Sequence, residues 1–479
     1  MPLAATLGSR FVLLLGGRVV LLVLALVATA LLTRLLGPSG FGHYRAAVAY
    51  LALVISFADL GLASLFVREI SRQGADQARV IANALGLRLV IAGSVMLLAI
   101  ALACGLPFDH ADRLGIIAGS FGFLAYSVHL MLFGLFQQKL RQGGVVFAEV
   151  SGGIVLLVLI GLFAWLGAAP WAFASALGLS YVFTLTVTLI AARRLVRFGI
   201  RLEREVCWRL AKAGAPLAVT TSIIVLYYRA DTILLAILDT PAEVGLYGVP
   251  IKVVDSFMGI TMLLIGLFAP LLANTARVDE GAFREHLENG LATLAVGTTG
   301  VGVGIVALAP EIVTLLAGAE FAAAAPILQV LAGVLVLHGT ALILRETATA
   351  LAIQQRLVPG YVAGLIVAMA AYLTLIPLFG GVGAALALLI TETVVVVSIA
   401  AVIVRATGTG RALRTPIIAF AAGLVAAAAV VWAAQQELGF VLRVALGGGV
   451  YLCLVLGTGA LSLPVLLRLG RDMIARKAG

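Results

Sequence analysis

A few charged residues stand inside long apolar stretches of this sequence. The cations are Arg18, Arg88, Arg229 and Lys252, and the carboxylates are Asp59, Glu149, Asp231, Asp255 and Glu392. A charge in mid-bilayer costs on the order of 3 kcal/mol or more, so each must face a cavity or a partner. Arginine forks suit the paired oxygens of an anion. A carboxylate isolated in a span, such as Glu149 or Glu392, suits a proton or cation site. Arg229 and Asp231 stand two apart, about 200° around a helix, and so cannot face each other. At least one must look across to another helix or into a cavity. Lys252 and Asp255 are three apart on one helical face and read as a local salt bridge. Every one of these residues also fits a purely structural role: Arg18 and Arg88 would then neutralise buried carboxylates such as Asp59 or Glu149.

The elements that carry these charges follow from composition. Of 479 residues 62% are hydrophobic and 11% charged, with a mean hydropathy of +1.16. A soluble domain carries about 25% charged residues. The apolar runs are of the length, about 20 residues, that crosses a bilayer as a helix, where lipid offers no partner for an open backbone amide. The chain therefore reads as an all-α polytopic membrane protein. Fourteen spans are expected, from 11–33 and 44–66 to 415–434 and 441–467. The first run is too long for a signal peptide and reads as a retained span.

Loop charge orients the spans by the positive-inside rule. With both termini cytoplasmic, the inner segments collect Arg68, Arg72, Arg79, Lys139, Arg141, Arg277 and Arg284, and the basic tail from Arg468 to Lys477. The outer segments hold or border on only Arg34, Arg45 and Arg113. This dispersal, and not nucleic-acid binding, accounts for the net charge of +10. The most basic connection, 193–213, carries Arg193, Arg194, Arg197, Arg201, Arg204, Arg209 and Lys212. It marks the expected division into an amino-terminal lobe (1–192), a basic cytoplasmic linker (193–213), a carboxy-terminal lobe (214–404) and two appended spans (405–479).

A shift of 203 residues aligns Pro38-Ser-Gly-Phe-Gly42-His-Tyr44 with Pro241-Ala-Glu-Val-Gly245-Leu-Tyr247. Both read P-x-x-x-G-x-Y and both follow the first span of their half, which points to two six-span lobes in parallel repeat. Such repeats suit alternating access with a site between the halves. The turn itself is expected to end span 1 at Pro38, bend at Gly42 and anchor span 2 at the interface through Tyr44. No Walker lysine, HExxH or nucleophile elbow occurs. Gly302-Val-Gly304-Ile-Val-Ala307 lies inside a span and opens no βαβ unit. Cys104, Cys207 and Cys453 have no metal or redox spacing, and His129 and His338 read as packed polar residues. No catalytic residue, metal site or cofactor is expected, and the chain does not read as an enzyme.

The segment LLTRLLGPSGFGHYRAAVAYLALVISFADLGLASLFVREISR (31–72) resembles the start of polysaccharide-biosynthesis flippases of the Wzx type. They belong to the MOP superfamily, with MATE exporters and lipid II flippases. Residues 227–248, 317–333 and 377–392 carry further pieces of the likeness. The resemblance implies two six-helix lobes around a hydrophilic cavity, in a bacterial inner membrane. It implies a polyprenyl-diphosphate-linked oligosaccharide as cargo, membrane lipids as surroundings, H+ or Na+ as a coupling ion, and polysaccharide polymerase or export machinery as partners. Arg18 and Arg88 at mid-depth, with Arg229 and Lys252, are then candidates for the diphosphate and glycan. Asp59, Glu149, Asp231, Asp255 and Glu392 are candidates for ion coupling or gating. Asp59, near Arg68 and Arg72, suits an inner gate. A MATE-type exporter of cations is the alternative, and would want an acidic cavity. A membrane glycan polymerase would want a sizeable external loop, which the chain lacks.

Overall fold

The computed structural model describes residues 2–59, 62–71, 76–139, 142–276 and 278–459. The charges expected at Arg72, Arg141, Arg277 and 468–477 lie outside them. Every element among the described residues is helical: α1 (Pro2–Asp59), α2 (Leu62–Ile70), α3 (Gln77–Gly105), α4 (His110–Gln138), α5 (Gly143–Trp165), α6 (Ala172–Arg193), α7 (Arg204–Leu238), α8 (Pro241–Thr275), α9 (Glu280–Ala317), α10 (Ala325–Ala350), α11 (Val358–Thr407), α12 (Arg414–Gln435) and α13 (Phe440–Gly457). Among them, 11 segments are long and apolar enough to cross a membrane. Their outer faces carry bare aliphatic side chains, with Leu97 71% and Leu378 70% exposed. Lipid, not water, is the solvent such a surface needs.

Two of these segments, Gly16–Asp59 and Gln354–Thr407, run for 44 and 54 residues. A straight helix of 44 residues would be about 66 Å long, twice the bilayer core. Each is broken at one glycine with positive φ, Gly37 (63°) in α1 and Gly380 (54°) in α11. The expected pairs of spans, 11–33 with most of 44–66 and 358–378 with 382–404, therefore follow each other directly, with a sharp kink between them. At the first kink Gly37 takes the backbone conformation that other residues avoid, and Pro38, with its φ preset, restarts the helix.

This corrects the expected anatomy of the turn. The bend is at Gly37 and not Gly42, and Tyr44 is buried instead of interfacial. Gly42 serves close approach. A methyl group there would overlap the Pro241 carbonyl oxygen and come within 3.2 Å of Gly245 N. A methyl group on Gly245 would overlap the Pro38 carbonyl oxygen and come within 3.2 Å of Gly42 N. The two P-x-x-x-G-x-Y turns thus cross backbone to backbone, each glycine against the other turn's proline. Tyr247, which closes the second turn, is fully buried and donates its hydroxyl to Asp231 at 2.7 Å.

The chain divides into two compact units, Met1–Gly248 and Val249–Gly479. In the first, α1 packs on α3, α4, α5 and α7, and α4 runs along α6. Gly122 and Gly178 bring α4 and α6 together so closely that a side chain on Gly122 would overlap Gly178. Small residues at such crossings are the usual way for membrane helices to gain packing. In the second unit α9 packs on α10, α12 and α13, and α10 on α11.

The basic connection falls within the first unit, because α7 starts at Arg204 and packs on α1, α2 and α3. Its end is fastened to α3. The Arg201 amide donates to the Ala82 carbonyl (3.0 Å), and the Glu203 amide donates to Asn83 Oδ1 (2.6 Å). Arg79 Nε donates to Glu203 Oε2 (2.8 Å) and Asn83 Nδ2 to Glu203 Oε1 (3.2 Å). These donors hold the Glu203 carboxyl below its ordinary pKa, and the carboxylate raises that of Arg79. Beneath the clasp, Phe66, Ile70, Ile81, Leu132, Leu135 and Leu210 form an apolar core.

Candidate functional site

The intramembrane charges sort by what encloses them. Arg88 on α3 is fully buried. Its guanidinium donates to Asp59 Oδ1 (2.8 Å), Ser127 Oγ (2.6 Å) and the Ala58 carbonyl (3.0 Å). Arginine is the cation suited to such multidentate burial. Of the two roles weighed for Arg88, neutralising a carboxylate is the one the packing displays. Asp59, expected near Arg68 and Arg72, has its carboxylate on Arg88, with a side chain 26% exposed.

Arg18 on α1 is different, with a side chain 45% exposed. It points Nη1 at Glu149 Oε2 on α5, 3.3 Å away. Glu149 turns its other oxygen to His129 Nε2 on α4 at 3.5 Å. The far side of that ring, Nδ1, lies 2.9 Å from Thr188 Oγ1 on α6. Four helices thus contribute one polar row, running from a fully enclosed hydroxyl to an exposed guanidinium. Tyr126, stacked on Tyr181 with ring centroids 4.4 Å apart and on His129 at 6.0 Å, walls it. Arg229 on α7 is exposed, and it and Arg18 both act electrostatically on Tyr126. The row therefore has an accessible cation, Arg18, at one end and a buried imidazole and hydroxyl at the other.

Asp231, two residues from Arg229, is buried and accepts from Tyr247 and from the Thr232 amide (2.6 Å) and hydroxyl (3.2 Å). The neighbours two apart part company as their spacing requires: the arginine is exposed and the aspartate is a packed acceptor.

In the second unit, Glu392 on α11 is fully enclosed and lies 3.6 Å from His338 Nδ1 on α10. Lys252 and Asp255 sit one turn apart on α8, both half-buried. The two carboxylates read as lone in sequence each have a histidine, and the two histidines read as packing each have a carboxylate. The partners lie on other helices, 20 residues away for His129 and Glu149, and no local spacing could reveal them.

In the turn that precedes span 44–66, His43 Nδ1 lies 2.8 Å from Asp112 Oδ1, near Asp109. Asp112 is buried and its hydrogen bond raises the pKa of His43.

The fold has known counterparts. It superposes on the lipid II flippase MurJ in an inward closed conformation with a TM-score of 0.73, at 13% identity, covering 93% of this chain and 97% of that one. An inward-facing MATE-family multidrug resistance transporter of the MOP superfamily gives 0.62, at 14% identity over 81% of this chain and 96% of that one. The MATE multidrug transporter DinF-BH gives 0.60, at 16% identity over 81% and 92%. At such identities the likeness is one of fold. The fold is thus the multi-pass helical membrane fold of these proteins. No curated protein matches the chain in sequence. Residues 8–276 match the family described as Polysaccharide biosynthesis protein, and the chain belongs to that family.

Proposed function

We propose that this protein is an alternating-access flippase that moves a polyprenyl-diphosphate-linked oligosaccharide from the cytoplasmic to the outer leaflet of a bacterial inner membrane, for surface polysaccharide biosynthesis. In this reading the chain has fourteen spans with both termini cytoplasmic, and an ion gradient resets the carrier. One observation carries the proposal: Arg18 and Arg229 are two exposed cations within apolar helices of the first unit. Exposed intramembrane cations mark a site for an anion, and a diphosphate ester is a dense one that arginine forks fit. The lipid tail stays in the bilayer while the head group enters. Lys252, in the second unit, is a further candidate for the diphosphate or glycan, and Asp255 and Glu392 remain candidates for coupling or gating.

A MATE-type cation exporter would need an unengaged carboxylate on an accessible surface. Glu149, the carboxylate of the row, is held by Arg18 and His129, which favours the anion. Deletion of the gene in a strain without a redundant flippase tests the reading. A lipid-linked glycan should accumulate on the cytoplasmic leaflet, and plasmid-borne Arg18→Ala and Arg229→Ala should fail to clear it. Absence of any such intermediate, or drug resistance conferred by expression, would overturn the proposal.

A further inference from the structure

The row behind Arg18 is built to take up a proton without moving a heavy atom. Thr188 Oγ1 has two neighbours, His129 Nδ1 at 2.9 Å and the Thr184 carbonyl at 2.8 Å. A hydroxyl carries one proton and two lone pairs, so it can serve either state of the ring. When His129 is neutral with its proton on Nε2, Thr188 donates to Nδ1 and Nε2–H points at Glu149. When Nδ1 gains a proton, the Thr188 hydroxyl rotates, donates to the Thr184 carbonyl and accepts from Nδ1–H. Both states leave the buried ring fully partnered, which a site without a rotatable donor could not do.

We propose that His129 is a proton site linked to anion binding at Arg18, so that protonation of the ring tightens the hold on a diphosphate-bearing cargo. The inference rests on the flippase reading above. Its basis is that Glu149 serves both neighbours at once, one oxygen toward His129 and the other toward Arg18. With a neutral ring the carboxylate neutralises Arg18. With an imidazolium beside it, the same charge is divided between two cations, and the field of Arg18 toward its exposed side grows. Arg18 with Glu149 sums to zero, and His129+ makes the group net positive.

The other groups facing the ring do not supply the switch. Tyr126 on its own helix and Tyr181 on α6 are stacked phenols, and Thr188 is uncharged. On the α3 side, Arg88 is closed on Asp59 and on Ser127, two residues before His129. Linkage is reciprocal, so bound anion must favour the protonated ring as much as the proton favours the anion.

The test uses the purified full-length protein in nanodiscs and a short-prenyl diphosphate sugar diester, which has no proton to lose near neutrality. Calorimetry at several pH values, in two buffers of different ionisation heat, reads affinity and proton uptake together. Wild type should bind about tenfold tighter at the acid end, within the usual span of linked sites, and should take up a proton on binding. His129→Gln should bind with an affinity flat in pH, and Glu149→Gln should hold the tight value throughout. His338→Gln, whose ring lies in the second unit, should keep the wild-type slope. Binding without proton uptake by wild type, or an unchanged slope in His129→Gln, overturns the inference and leaves the cargo reading standing. Failure of wild type to bind the diester at any pH overturns both. The proton-uptake measurement needs no variant, so a poorly folding mutant cannot shelter the idea.

Discussion

Replacing Arg88 by alanine should unfold the protein more readily, and should do so for an electrostatic reason. Its guanidinium makes three hydrogen bonds, to Asp59, Ser127 and the Ala58 carbonyl, from a fully buried position. Removing one partner of a buried ion pair costs about 3–5 kcal/mol, because the other charge stays behind without its counterion. The Asp59 side chain is 26% exposed, so polar surroundings can relieve part of that penalty and the lower end, about 3 kcal/mol, applies. The double variant Arg88→Met with Asp59→Asn removes both charges and most of the volume loss. It should recover to within about 1 kcal/mol of wild type, and so be about 2 kcal/mol more stable than Arg88→Ala. Reversible unfolding of the detergent-solubilised protein measures stability, and clearance of the accumulated intermediate in the deletion strain measures transport. If Arg88→Ala is as stable as wild type yet transports nothing, Arg88 is a cargo ligand and the structural reading is wrong.

Three further outcomes are expected. Arg18→Ala and Arg229→Ala should abolish transport at near-normal stability, since an ion pair as accessible as Arg18–Glu149 contributes about 1 kcal/mol or less; a large stability loss would make them framework residues. Gly42→Val should cost on the order of 1–3 kcal/mol by overpacking, because the atom in the way is a backbone carbonyl that cannot turn aside; Gly245→Val should match it, and normal unfolding of either variant would refute the close crossing. The pairing with Asp112 raises the folded pKa of His43 above the ordinary value of about 6.5. Its stabilisation is therefore complete below that ordinary value and fades as pH rises through the raised one. The stability lost by wild type between acid and alkaline pH should shrink in His43→Gln, and an identical pH profile in the two proteins would sink the assignment.

Much of the architecture was legible because lipid imposes a strong rule: apolar length alone marks a helix that must satisfy its own backbone. The spans expected at 11–33 and 214–237 lie within α1 and α7 for that reason, although both helices start about ten residues earlier, and the last residues of 44–66 fall in α2. The turn was harder to read. Glycine and proline marked a bend, but sequence does not say which of three glycines takes positive φ and which admits another backbone. The charges divide in the same way. Pairing of Arg18 and Arg88 with Glu149 and Asp59 was among the options, since few intramembrane carboxylates were available. Burial, which leaves Arg18 accessible and encloses Arg88, depends on which face of each helix meets its neighbours. The role of His129 was invisible because its partners come from α5 and α6.

The crossing of the two glycine turns has the pattern of an isologous interface, in which residue i meets j and j meets i. Pro38 abuts Gly245 and Pro241 abuts Gly42, which is what two identical chains related by a twofold axis would make. The contact itself is made of main chain, so it sets no demand on the side chains around it, and these differ between the turns, Ser39-Gly40-Phe41 in one and Ala242-Glu243-Val244 in the other. One chain thereby makes with itself the kind of symmetric contact that otherwise takes two copies.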